Sequence, residues 1–308
     1  MYRALVTDKV HPAGLELLRE KGIEVVEDLE AYKPEVLKER IKGFDVLIVR
    51  SRTKVRREVI EAADKLKVIA RAGSGLDNID LEAAKEKGIK VVNAPDALKN
   101  AVAELVIGMM VVLARRAHYS YRKLLEGEWE KVMGFELAGK TLGVVGFGRI
   151  GREVAKKAKA LGMNVIAYDV VDLSETAKEM GVEFTQDLEE LLRKSDVVSL
   201  HVPLTEQTRN MINRDRIKIM KDGAILINAA RGEVADYSAL LEALESGKLW
   251  GVGLDVYPEE PPKSEELLKL IRHPRTFATA HIGAQTEEAQ RRTSLEVAQR
   301  ILEALGLQ

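Results

Sequence analysis

The chain has 308 residues, 46% of them hydrophobic and 31% charged, with Lys+Arg 48 against Asp+Glu 49 and a formal net charge of -1. This length favours two domains over one, and so balanced a charge gives no long-range field for nucleic acid or an anionic membrane. With no cysteine, disulfides, thiolate nucleophiles and Cys-type zinc sites are excluded, which fits a reducing, cytoplasmic setting.

The first residues, Met1 to Val6, alternate like a strand and lack the basic start, long apolar stretch and cleavage site of a signal peptide. No apolar run reaches the roughly 18 residues of a membrane helix. Short apolar runs at Ala4 to Val6, Glu24 to Val26, Val46 to Val49, Val68 to Ala70 and Val91-Val92 read as strands, and Pro12 to Lys21 and Pro34 to Ile41 between them have helical spacing. Asn100 to Arg116 is a helix apolar on nearly every face, to be buried in the core or between subunits, and a homodimer that buries it is expected. A second strand series follows: Leu142 to Val145, Asn164 to Ala167, Val197 to Leu200, Ala224 to Ile227, Val252 to Leu254 and Thr276 to Thr279. Glu287 to Leu305 closes the chain as an amphipathic helix. Strand-helix alternation of this kind predicts parallel sheets covered on both faces. High charge, no cysteine and short loops also suit a thermophile.

Leu142-Gly143-Val144-Val145 runs into Gly146-Phe147-Gly148-Arg149-Ile150-Gly151, and a helical pattern follows. This is G-x-G-x-x-G in strand-turn-helix context. Gly146 permits the turn, Gly148 lets the backbone approach a pyrophosphate, and Gly151 lets helix and strand pack closely. The next strand ends at Asp169, 18 residues beyond Gly151. A carboxylate there accepts both ribose hydroxyls of NAD and repels the extra phosphate of NADP. Val170 and Val171 follow it with no basic residue, so NAD is the expected cofactor.

Of the five histidines, His201 and His281 follow strands, where ligands of open α/β sheets sit. Oxidising an alcohol at C2 of a hydroxy acid needs a base, a cation for the carboxylate and C2 oxygen, and a carboxylate to orient the base. Arg231 ends one strand, and Asp255, Glu259 and Glu260 lie in the loop after another. Residue types alone leave open which acid pairs with which histidine. No metal is expected.

These residues resemble the D-isomer-specific 2-hydroxyacid dehydrogenases over essentially the whole chain. The resemblance implies a catalytic set of Arg231 in Ala-Ala-Arg-Gly, Glu260 before Pro261, and His281 in His-Ile-Gly-Ala. It implies cofactor contacts at Arg149, Ile150, Asp169, Ala229, Ala230, Arg231, Asp255, His281, Gly283 and Ala284, and more loosely Ser74 and Val202. The family usually has Pro before the histidine, where this chain has Ala280; that loosens the loop and removes no reacting group. The implied architecture is α/β with two doubly wound parallel-sheet domains. A Rossmann cofactor domain, residues 99–281, is inserted into a flavodoxin-like substrate domain, residues 1–98 and 282–308, with the reaction in the cleft between them.

Within the family the likeness is greatest to the phosphoglycerate-oxidising branch, in a short form lacking the C-terminal regulatory domain of larger members. It is carried by Arg50-Ser51-Arg52-Thr53-Lys54 and by Arg71-Ala72-Gly73-Ser74-Gly75. A terminal phosphate needs fixed cations, offered by Arg50, Arg52, Lys54 and Arg71, while the N–H groups of Gly73 to Gly75 suit a carboxylate. The implied substrate set is therefore Arg50, Ser51, Arg71, Gly73, Ser74, Gly75, Arg231 and His281. The implied reaction is oxidation of D-3-phosphoglycerate to 3-phosphohydroxypyruvate, the first step of serine biosynthesis, by a homodimer. The rivals are a glyoxylate or hydroxypyruvate reductase, which needs no phosphate pocket, and an NAD-sensing corepressor, which keeps the same three residues.

Overall fold

Residues 1–307 are described by a computed structural model, in which the chain folds as two units. One comprises Met1–Lys99 and the segment from Ala284 on; the other is Asn100–Gly283. The changes of unit thus fall after Lys99 and Gly283, against expected positions after Leu98 and His281.

The first unit runs β1 (Arg3–Val6), α1 (Pro12–Glu20), β2 (Glu24–Glu27), α2 (Pro34–Arg40), β3 (Val46–Val49), α3 (Arg57–Ala62), β4 (Val68–Arg71), α4 (Leu81–Glu86) and β5 (Lys90–Asn93), and regains the C-terminal helix Glu287–Leu305. Its strands pair in parallel in the order β2-β1-β3-β4-β5, the flavodoxin-like arrangement. Successive side chains of a strand point to opposite faces, and the core divides accordingly. Ala4, Val6, Val46, Ile48, Val68 and Ala70 face α1 and the C-terminal helix, while Leu5, Leu47, Val49 and Ile69 face α2, α3 and α4. The C-terminal helix returns so closely to α1 that a Cβ on Gly14 would stand 2.2 Å from Ser294 O. Ser294 Oγ accepts the Gly14 N–H at 3.0 Å and donates to His11 O at 2.6 Å.

The second unit begins with α5 (Lys99–Ala114) and α6 (Ala117–Leu125). It continues β6 (Thr141–Val145), α7 (Arg149–Ala160), β7 (Asn164–Tyr168), α8 (Ser174–Glu179), β8 (Glu183–Thr185), α9 (Leu188–Lys194), β9 (Val197–Leu200), α10 (Arg214–Ile219), β10 (Ala224–Asn228), α11 (Tyr237–Glu245), β11 (Leu249–Leu254), α12 (Glu265–Arg272) and β12 (Thr276–Ala278). The parallel order β12-β11-β10-β9-β6-β7-β8 is the dinucleotide-fold order with one added strand, and it reverses between β6 and β9. β8 is an edge strand of three residues with a single apolar side chain, too short to show alternation and not anticipated from the sequence.

α5 is buried along one side, while Val111 on another is 44% exposed. Val106, Met109, Met110 and Leu113 are buried in the unit's own core. Gly251 and Gly253 on β11 leave room for Leu113 and Met109, and Trp250 Nε1 donates to Leu113 O at 2.9 Å. The helix stops at Ala114 because Arg116 takes a left-handed φ of 53°. More exposed apolar surface lies further on. α6 has no buried residue, and Tyr121, Leu124, Leu125, Trp129 and Met133 are 52–84% exposed. No helix among the described residues is long and apolar enough to cross a membrane.

Candidate active site

Each glycine of the phosphate-type loop does a separable job. Gly146 has φ +98°, and a Cβ there would stand 2.8 Å from the His201–Val202 peptide; Val202 thus backs the turn. Gly151 lies so close under the turn that a Cβ would meet Gly146 O at 2.1 Å. At Gly148, the residue just before α7, nothing lies within 4 Å of an added Cβ. This is the open approach to a helix N-terminus that an anion uses. Arg149, exposed, and Ile150, half-buried against the core, form the first turn of α7. Asp169 closes β7, with Oδ2 taking the Phe147 N–H at 2.9 Å and Oδ1 the Val171 N–H at 3.1 Å. A carboxylate has about four lone-pair sites, so acceptor capacity remains for two hydroxyls. Val170 and Val171 beside it are 74% and 59% exposed.

The acid-base candidates follow three strands that are neighbours in the sheet. Arg231 follows β10, Glu260 follows β11 and His281 follows β12, and the registers put Asn228 beside Leu254 and Leu254 beside Ala278. Adjacent strands lie about 4.8 Å apart, so loops 21 to 29 residues distant in the chain start side by side. Fully buried Asn228 shapes the first loop: Oδ1 accepts the Ala230 N–H at 3.1 Å and Nδ2 donates to Arg231 O at 2.9 Å. Ala229 and Ala230 are half-buried there. Gly232 abuts the next loop, since a Cβ would stand 2.0 Å from Tyr257 C; any side chain would push the Arg231 turn away.

Buried Asp255 holds the third loop. Oδ1 accepts the Thr279 hydroxyl at 2.6 Å and the Ile282 N–H at 2.7 Å, and Oδ2 the Gly283 N–H at 2.8 Å. Tyr257 pins the same segment by donating to Thr279 O at 2.7 Å. Gripped on both sides, His281 adopts φ +52°, a backbone conformation non-glycine residues rarely take unless their surroundings impose it. Its Nδ1 lies 2.8 Å from Glu260 Oε2, and Glu260 Oε1 accepts the Tyr257 N–H at 3.2 Å. Burial pushes the Glu260 carboxyl up, but the hydrogen bond and charge of His281, the Tyr257 N–H and the Arg231 charge together bring it below the ordinary carboxylate range. The acid left open by residue types is therefore resolved: Glu260 meets the histidine, Asp255 fixes the loop, and exposed Glu259 approaches Lys263.

His201 is differently placed. Nε2 meets Ser199 Oγ at 2.8 Å, and burial pushes the imidazole down to about 4. It is a neutral ring behind the phosphate turn, without a carboxylate to stabilise a protonated form.

In the first unit, Arg50 follows β3 and Arg71 ends β4. Burial pulls the Arg50 guanidinium below its usual value while the Asp8 charge opposes this, and Nη1 donates to Lys9 O at 3.3 Å. Arg71 folds over its own turn, with Nη1 1.3 Å from where a Cβ on Gly73 would be; only glycine leaves it that place. The two other expected cations have partners of their own. Arg52 pairs with Asp8 at 2.9 Å, donates to Thr7 O and Leu29 O at 2.9 Å, and stacks 4.1 Å over Tyr32. Lys54 Nζ caps Ser51 O at 3.1 Å. Ser74 and Ala284, expected at the cofactor, belong to this unit, Ser74 O accepting from Asn93 Nδ2 at 2.6 Å and Ala284 O from Gln290 Nε2 at 2.6 Å. The sequence reading missed Asn228, Thr279 and Gly232. A side-chain amide closing a strand directly before a loop was the available signal for the first.

Residues 107–283, more than half of the chain, match the family model described as "D-isomer specific 2-hydroxyacid dehydrogenase, NAD binding domain". The chain is 51% identical over 307 residues to a D-3-phosphoglycerate dehydrogenase of Methanocaldococcus jannaschii, covering 99% of this chain and 58% of that protein. It is 49% identical over 308 residues to a hydroxypyruvate reductase of Thermotoga maritima, covering 99% of each. Among solved structures, the NAD+-bound 3-phosphoglycerate dehydrogenase of Entamoeba histolytica superposes with TM-score 0.84 at 33% identity, over 99% of this chain and 95% of that one. The chain thus spans little more than half the length of the archaeal relative and nearly all of the bacterial one.

Proposed function

The chain belongs to the D-isomer-specific 2-hydroxyacid dehydrogenase family, and on that premise we propose that it oxidises D-3-phosphoglycerate to 3-phosphohydroxypyruvate, the first step of serine biosynthesis. The observation that carries the chemistry is the 2.8 Å pairing of His281 Nδ1 with Glu260 beside the Arg231 turn. NAD is the cofactor, and when bound it accepts the hydride that leaves C2. A carboxylate only accepts hydrogen bonds, so Glu260 keeps the proton on Nδ1 and leaves the Nε2 lone pair to take the C2 hydroxyl proton. Glu260 also stabilises the imidazolium that forms. Arg231 holds the substrate carboxylate and the C2 oxygen by charge-assisted bonds. Arg50, Ser51, Arg71 and the turn Gly73 to Gly75 supply the remaining substrate contacts, with Arg50 on the terminal phosphate.

The preference for a phosphorylated acid rests on the 51% identity to the archaeal phosphoglycerate dehydrogenase and on the cation at Arg50. The end-to-end match to a hydroxypyruvate reductase favours a second reading, reduction of hydroxypyruvate or glyoxylate. A panel of 2-hydroxy and 2-keto acids, with and without a terminal phosphate and with NAD(H) and NADP(H), separates the two. A kcat/KM highest for the phosphorylated pair with NAD(H) supports the first reading, and equal or higher values for hydroxypyruvate or glyoxylate overturn it. Steady NADH production also excludes a role confined to NAD sensing. His281→Asn lowers turnover at least about 10²-fold while NADH still binds; survival of several per cent of the activity overturns His281 as the base.

We further propose a cytoplasmic homodimer that covers the open side of α5 together with α6 and the segment after it, where Leu124, Leu125, Trp129 and Met133 are exposed. Leu125→Glu should shift sedimentation to the monomer, and an unchanged dimer would place the interface elsewhere.

A further inference from the structure

The loop that carries Arg50 is gripped from two sides by side chains with no expected part in chemistry. Asp8 is 3% exposed, and its Oδ2 accepts the N–H groups of Arg50 at 2.6 Å and Thr53 at 3.3 Å. Asn78 is 4% exposed, and its Nδ2 donates to Arg50 O and Thr53 O, each at 2.7 Å. Asn78 lies just beyond the Gly73–Gly75 turn, and its own carbonyl accepts the Val55 N–H at 2.8 Å. That turn is tied down in its own right: Asn93 Nδ2 donates to Ser74 O at 2.6 Å, and the Ala94 N–H donates to Gly73 O at 2.9 Å. One amide group therefore bridges a fixed turn and the loop that ends β3. An amide is the only short side chain that donates two hydrogens from one atom; a carboxylate donates none and a hydroxyl one. Removing it leaves two inward-facing carbonyls without partners.

We propose that Asn78 is a positioning residue: it fixes the register of the Arg50–Thr53 loop against the Gly73–Gly75 turn, and so sets discrimination for a hydroxy acid bearing a terminal phosphate over the same acid without one. A guanidinium is placed only as accurately as the backbone that carries it. A loop free to slip weakens the contact to the distant phosphate and spares C2. The inference rests on the reading of Arg50 given under Proposed function.

The test compares kcat/KM for D-3-phosphoglycerate with kcat/KM for D-glycerate in wild type, Asn78→Ser, Arg50→Ala and the double variant. NADH affinity and thermal unfolding are followed as measures of folding. Arg50→Ala should lower the ratio by about 10²-fold and Asn78→Ser by about tenfold, with the double variant no worse than Arg50→Ala, because residues acting through one contact are not additive. A ratio within twofold of wild type in folded Asn78→Ser, or a double variant in which the two losses multiply, overturns the proposal. A wild-type ratio near one, or an unchanged ratio in Arg50→Ala, instead overturns the reading of Arg50, so the two failures are distinct. If Asn78→Ser does not fold, Asp8→Asn loosens the same loop from its N–H side and should lower the ratio likewise; an unchanged ratio there counts against the proposal.

Discussion

Glu260→Gln preserves size and shape, so its effect isolates one charge and one pattern of donors. The carboxylate accepts from two groups, His281 Nδ1 at 2.8 Å and the Tyr257 N–H at 3.2 Å. An amide has one oxygen for these two donors. With the oxygen toward Tyr257, its NH2 faces Nδ1 and favours the tautomer with the proton on Nε2, which removes the base. With the oxygen toward His281, its NH2 confronts the Tyr257 N–H. A hydrogen bond to a charged group is worth roughly 1.5–3 kcal/mol. Because the His281 and Glu260 side chains are 44% and 39% exposed, solvent screening holds the charge contribution to about 1 kcal/mol. With the tautomer change added, kcat should fall by about 30- to 100-fold. NADH affinity and thermal stability should stay near wild type, since Asp255 rather than Glu260 holds the Ile282 and Gly283 N–H groups. The assay is the initial rate of NADH formation from D-3-phosphoglycerate, with NADH binding followed by fluorescence. A folded Glu260→Gln enzyme with kcat within threefold of wild type would refute the assignment of Glu260 as the group that sets the histidine tautomer.

Gly148→Ala and Gly151→Ala should fail in different ways. The first meets nothing within 4 Å, so unfolding is unchanged while NADH affinity drops at least about tenfold as the Cβ enters the phosphate approach; unaltered affinity would place the phosphates elsewhere. The second drives a Cβ to 2.1 Å from Gly146 O and should lower thermal stability as well, by about 1–3 kcal/mol. Asp169→Asn removes the charge and leaves one oxygen for the Phe147 and Val171 N–H groups, which now bond to different carboxylate oxygens, and the preference for NAD over NADP should fall by about tenfold or more; an unchanged preference means another group reads the ribose. His201, pushed down to about 4 by burial from an ordinary 6.5, leaves the unfolded chain binding the extra proton between those values. Stability should therefore fall as pH drops through that window, by at most about 2 kcal/mol near pH 5. Denaturant unfolding of His201→Gln should show a shallower acid loss, and identical slopes would show that the ring is not held neutral.

Much of this was legible along the chain because each local device is written in consecutive residues. Strand runs such as Val46 to Val49 are apolar throughout, since both faces of a parallel sheet are covered, and the glycines 146, 148 and 151 announce their turn by spacing alone. The helix Glu287–Leu305 was read to the residue. Less was visible where a signal is short or shared. β8 offers one apolar residue, and a helix apolar all round looks the same whether it fills a core or an interface. Basic residues likewise look alike until their partners appear: Arg52 meets Asp8 and Tyr32, Lys54 meets Ser51 O and Arg50 meets Lys9 O.

The sequence by itself determined the alternating α/β elements, the dinucleotide turn and the residue types available at each strand end. Which of those ends stand together was decided only by tertiary structure. Arg231, Glu260 and His281 lie close because β10, β11 and β12 are consecutive neighbours in one sheet, whereas His201, on the next strand end along, is half-buried against the turn and meets Ser199 instead of an acid. Composition and spacing act along the chain; hydrogen-bonded strand order acts across it, over the few ångströms in which a proton can move.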